Sequence, residues 1–142
     1  LNKKFLLGHS VDDDTVADIT AIIERRPSID HISEVQSQWI GPTTFAYKAE
    51  VDFDGTYLAA SLHGTYEALF RKSKDLDAEL PLLLSMYAED VTRLVEKELQ
   101  DVEASIRAKH PGAAFIELEP DSKDTDTPMS EMAANQSFRS TE

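Results

Sequence analysis

The sequence contains no cysteine. A disulfide framework, a zinc ribbon and a thiol nucleophile are therefore excluded. It also has no long apolar run: the longest, at 80–84, is interrupted by Pro81, whereas a membrane-spanning helix needs about 20 mostly apolar residues. No bilayer span is expected, and no basic start followed by an apolar stretch marks a signal peptide. Basic residues are scarce, with 14 Lys and Arg against 27 Asp and Glu for a net charge of −13. That balance repels nucleic-acid phosphates and anionic lipid, and it suits cations as partners. Solubility alone is the plainer account of it. Only 5 glycines are present, and they form neither a phosphate-cradling loop nor a G-x-S-x-G elbow. The first residue is Leu1 rather than methionine, which reads as a fragment or a processed product.

What is present fits one domain, since 142 residues can bury a modest core without staples. Residues 1–8 read as a lead-in ending in a turn at Gly8. Ser10 is placed as a helix N-cap, with Asp12, Asp13 and Asp14 filling a first turn whose positive dipole end favours carboxylates. Val16, Ile19, Ile22 and Ile23 repeat at helical spacing up to about Arg26, and Pro27 stops the helix. β-formers at 31–40 predict a first strand, Gly41 and Pro42 a turn. Phe45, Tyr47, Ala49, Val51 and Phe53 then alternate with Lys48, Glu50, Asp52 and Asp54, the pattern of a half-buried strand. An antiparallel hairpin follows from the short loop.

Residues 57–72 predict a helix carrying Leu58, Leu62, Tyr66 and Phe70 on one side, weakened by Gly64. A polar connection over 71–77 leads to a long helix from Pro81, suited to a first turn, to about Lys109. His110, Pro111 and Gly112 close it. Residues 113–119 predict a last strand with Ala114, Ile116 and Leu118 inward and Phe115 on a partly covered face. From Pro120 onward periodicity is lost, and 120–142 reads as a disordered acidic tail. The fold class is α+β, in the order α-β-β-α-α-β, a three-stranded sheet with helices on one face. The domain spans 1–119, with a helical insert at 56–84.

Metal-like spacings occur at Asp14 and Asp18, at His63 and Glu67, and in the segment from His9 to Asp14. The first two are pairs one helical turn apart that can share a cation, the third one imidazole with three carboxylates, and two ligands do not complete a site. Helix capping and solvated pairs are the plainer account of each. His31 and His110 lie beside turns. Glu117 and Glu119, two apart on a strand, face the same way. Such a carboxylate pair suits acid–base chemistry, a cation or a solvated edge. With no expected pocket, a hydrolase or lyase using this pair ranks last.

Several strings, in order, resemble the cytosolic domain of the cation diffusion facilitator family. They are Leu6, Leu7, Gly8 and Ser10 before the first helix, Pro27 and Ile29 before the first strand, the turn from Gly41 through Phe45, and Lys109 through Gly112 before the closing strand. The runs 48–55 and 91–99 and the insert 56–84 are similar to the zinc transporter 9 branch. The resemblance covers about 5–119. It implies a ferredoxin-like domain below six transmembrane helices, pairing with its twin and, in many members, binding metal between protomers. The family's regulatory ligand positions fall on Ser33, Ala49, Glu117 and Glu119, where full sites carry three His and one Asp. The imidazoles are missing here, which leaves Glu117 and Glu119, with His9 and His63 as further candidates for a weakly held zinc. No tightly bound cofactor is implied.

The expectation is a non-enzymatic C-terminal domain of a proton-coupled zinc exporter, on the cytosolic or matrix side. Its partners are a second copy, the transporter's membrane part and divalent cations, not nucleic acid. A free-standing dimerisation or regulatory module is the alternative.

Overall fold

The computed structural model describes residues 8–121; the expected lead-in up to Leu7 and the tail from Ser122 lie outside them. Helix α1, Asp13–Glu24, is capped by Asp12 rather than Ser10: its carboxylate accepts from the Thr15 amide at 3.0 Å and hydroxyl at 2.8 Å. Val11 just before the cap and Val16 four residues after it both join the core. That is the pairing of a hydrophobic staple, which sets the angle of entry. Ser10 stands too early to reach the first free amides.

Strands β1, Ile29–Trp39, and β2, Phe45–Phe53, form the expected hairpin, and β2 pairs in parallel with β3, Ala113–Pro120, in the order β1-β2-β3. Between them run α2, Gly55–Ala60, α3, His63–Lys72, and α4, Leu76–Lys109. The helix expected over 57–72 is thus broken at Ser61 and Leu62, not at Gly64. The long helix begins at Leu76, behind Asp75 whose side chain accepts from the Ala78 amide, and takes Pro81 inside it. This close to the start, proline removes one hydrogen bond, to the exposed Asp77, and the helix absorbs the loss. The polar connection shrinks to 73–75.

Ile19 and Ile23 of α1, Val102 and Ile106 of α4, and Tyr47, Ala49 and Val51 of β2 are almost completely excluded from solvent and form the core. The helices cover one face of the sheet, as a three-stranded α+β layer requires. Three register shifts set which side chains face them; one, between Ile29 and His31, leaves His31 opposite Asp52. Between Ser33 and Gln36, β1 carries one residue more than β2 does between Glu50 and Lys48. The bulge sits at Glu34, with φ of 51°, and it turns Val35 into the core. A shift in the β2–β3 register beside Phe45 puts Ala113 inward and Ala114 outward, the reverse of the alternation expected for Ala114.

Arg26, Ser28 and Glu98 tie the end of α1 to α4. The guanidinium bonds both Glu98 oxygens at 2.8 and 2.9 Å, and the Ser28 hydroxyl adds a bond of 2.8 Å.

Candidate functional site

With the helices on one side, the opposite face of the sheet carries the side chains that alternate with the core. On β1 these are His31, Ser33, Gln36 and Gln38; on β2, Ala46, Lys48, Glu50 and Asp52; on β3, Phe115, Glu117 and Glu119. The alternation in β2 was read as a core side and a solvated side, but Ala46 and Lys48 are buried as well. The reason is that β2 is the central strand, so its outward side chains lie in a trough between those of β1 and β3.

The open face has an apolar end and an acidic end. At the apolar end Phe115 is 65 % exposed and Ile40 44 %. They flank Ala46, whose small side chain leaves a hollow of about 690 Å³ also lined by Ile116 and Glu117. Trp39, 37 % exposed, belongs instead to the core side, where it meets Phe45 edge-on at 5.4 Å. Toward the other end, Glu50 and Glu119 stand opposite each other and Asp52 follows.

Between the two ends lies Lys48. Its ammonium is 3.4 Å from Glu119 and 3.9 Å from Glu117, and its side chain is only 10 % exposed against 41 % and 56 % for those carboxylates. The expected Glu117 and Glu119 pair is thus one surface unit, but it surrounds a built-in cation. Ala49, assigned beside these carboxylates by resemblance, points into the core with no exposure. Lys48, one residue earlier, holds the open-face position opposite Glu117. The Ser33 hydroxyl is buried on the same side with no protein partner.

The other candidates lie on other elements. His9 is exposed before α1, its carbonyl accepting from the Trp39 amide at 2.8 Å. His63 is exposed at the start of α3, and Glu67 one turn on pairs with Arg71 at 3.7 Å. His63, Tyr66, Glu67, Phe70, Leu84 and Tyr87 border a shallow groove of about 410 Å³ between α3 and α4. Asp18 finds its partners at the end of α4 rather than in Asp14. It receives Lys109 at 2.8 Å and His110 at 2.5 Å, and these two hydrogen bonds hold its carboxyl below the usual range. Among the described residues no three His, Asp or Glu side chains converge as a metal group.

Among the described residues the sheet thus has one face packed by helices and one face open, with the Lys48, Glu117 and Glu119 cluster on the open one. Comparison with known proteins adds relatives over most of the chain. The chain is 27 % identical over 126 residues to metal tolerance protein C4 of Arabidopsis thaliana. It is 25 % identical over 122 residues to the mitochondrial proton-coupled zinc antiporter SLC30A9 of Homo sapiens. Each alignment covers 83 % of this chain but only 27 % and 22 % of the relatives, so the chain spans about a quarter of their length. These relatives bear out the resemblance to cation diffusion facilitators, and their names are not those of enzymes. No family profile matches the chain, and no solved structure matches it. No helix among the described residues is long and apolar enough to cross a membrane.

Proposed function

We propose that this chain is the C-terminal domain of a divalent-cation transporter of the cation diffusion facilitator type, lying outside the bilayer and holding two transporter subunits together. The observation that carries the reading is the bare sheet face. It presents a protruding Phe115 and, beside it, the hollow over Ala46. A knob and a socket on one surface suit a two-fold contact, in which each copy offers both to the other. A large exposed aromatic beside apolar neighbours on one face is also what an interface core contains.

The relatives supply the cargo: zinc and protons appear in the name of the human protein, and metal in that of the plant protein. In this reading transport itself belongs to a membrane part of the polypeptide, and the domain sits on the cytosolic or matrix side. Regulation by metal would act through exposed imidazoles and carboxylates.

Sedimentation of the purified chain tests the proposal. A concentration-dependent dimer is expected, and Phe115→Ser should make it monomeric while leaving its circular dichroism unchanged. A monomer at every concentration, or a dimer indifferent to Phe115→Ser, would overturn the assignment of this face.

A further inference from the structure

The open face poses an electrostatic difficulty for any self-association through it. Its β2 and β3 side chains include four carboxylates, Glu50, Asp52, Glu117 and Glu119, and a single cation, Lys48. A two-fold contact brings such a face against its own copy and so doubles the acidic charge across the seam. Carboxylates taken out of water in that seam are costly unless a cation pairs with them.

We propose that Lys48 is the interface's own counter-ion: its ammonium, held between Glu117 and Glu119, lets two copies close on each other without a bridging metal ion. This rests on the dimer reading above and adds the means by which the acidic part of the face is tolerated.

Three observations carry it. The ammonium already lies within ion-pair distance of both carboxylates, at 3.4 and 3.9 Å. The lysine stem fills the trough over the central strand, so the charge is fixed in place rather than waving in solvent; the side chain is 10 % exposed. The two carboxylates remain 41 % and 56 % exposed, so they keep lone pairs directed at whatever covers the face. Lys48 also sits one step along β2 from the Ala46 hollow on the same face, which places the charge cluster beside the apolar contact. The pair offers zinc two oxygen ligands beside a competing ammonium and no imidazole or thiolate, a poor set for that ion. Lys48 is a positioning and neutralising residue, not a metal ligand.

Analytical ultracentrifugation of the chain in excess chelator, with added zinc as a parallel sample, is the test. The wild-type dimer is expected to have the same dissociation constant in both. Lys48→Gln, which leaves the carboxylates unpaired, should weaken it by roughly thirtyfold or more. Lys48→Arg should stay near wild type, and the triple change Lys48→Gln, Glu117→Gln, Glu119→Gln should recover most of the lost association. That recovery separates a charge role from mere packing, because the triple variant lacks the lysine too. If Lys48→Gln fails to fold by circular dichroism, the pair Glu117→Gln, Glu119→Gln gives the same reading: it strands the ammonium and should also weaken the dimer.

A wild-type dimer that dissolves in chelator would overturn the proposal, as would a folded Lys48→Gln protein with an unchanged constant or a triple variant no better than the single one. In each of these cases the dimer reading survives. A wild-type monomer at all concentrations would overturn both.

Discussion

Asp18 on α1 and His110 at the end of α4 meet through Oδ2 and Nε2 at 2.5 Å, and Lys109 holds the other oxygen of the same carboxylate. This contact fastens the first helix to the point where the chain turns from the last helix into β3. It has a sign that can be checked. Hydrogen bonds from Lys109 and His110 lower the Asp18 pKa below its ordinary 3.8. A depressed carboxylate stabilises the fold fully above the unfolded value and ceases to do so as pH falls through the folded one. Melting temperature should therefore decline below about pH 4. Asp18→Asn should lower it at neutral pH, with the gap to wild type closing in acid. A gap of constant size down to pH 2 would show that the charge of Asp18 is not what matters.

The Arg26–Glu98 contact is expected to count for more than an ordinary surface pair. It is bidentate, its side chains are only 31 % and 18 % exposed, and Ser28 bonds the same carboxylate. Arg26→Ala leaves Glu98 partly buried with one neutral partner. A loss of about 1–3 kcal/mol is expected, read as a lower urea midpoint at unchanged slope. A change within the scatter of surface substitutions would reduce the network to decoration.

The two halves of α4 should respond differently to truncation. Ile106 lies in the core with no exposure, whereas Leu84 is 54 % exposed beside the α3 groove. Ile106→Ala should cost about 2–5 kcal/mol, and Leu84→Ala no more than about 0.5 kcal/mol. Equal costs would mean that the N-terminal half of the helix is packed as tightly as the half above the sheet.

How much of this was legible beforehand follows from what periodicity can and cannot carry. Ile19, Ile23, Tyr47, Val51 and Ile106 were all readable as inward, because spacing along one element decides its face. Glu117 and Glu119 were readable as neighbours for the same reason. Lys48 as their partner was not. It depends on a parallel pairing between strands far apart in sequence, and nothing local states that register. The Glu34 bulge and the β2–β3 shift each displace a strand by one residue, which moves a side chain to the opposite face. Ala49 faces the core by the plain alternation of β2, and Lys48 beside it faces the carboxylates. His110 reads from the sequence as a turn residue; only the packing of α1 against α4 gives it Asp18. The Asp12 cap was within reach of the sequence, since Thr15 three residues on completes the pattern that Ser10 lacks.

Zinc binding is the remaining prediction. The candidate ligands His9, His63, Glu117 and Glu119 stand on the segment before α1, on α3 and on β3, and no three such side chains converge among the described residues. Glu117 and Glu119 share Lys48, while His63 has only Glu67 one turn away, itself paired with Arg71. A tight zinc site needs three or four ligands fixed at about 2.0–2.3 Å. Calorimetric titration of the metal-stripped chain should therefore give a dissociation constant of micromolar or weaker, no more favourable than about −8 kcal/mol. His63→Ala should weaken the residual binding, because an imidazole with a carboxylate at helical spacing is the best pair on offer. Glu117→Gln with Glu119→Gln should leave it unchanged, since those oxygens already serve an ammonium. Nanomolar binding that disappears with the β3 carboxylates would reverse this account, making Lys48 a side chain that a metal displaces rather than one that stands in its place.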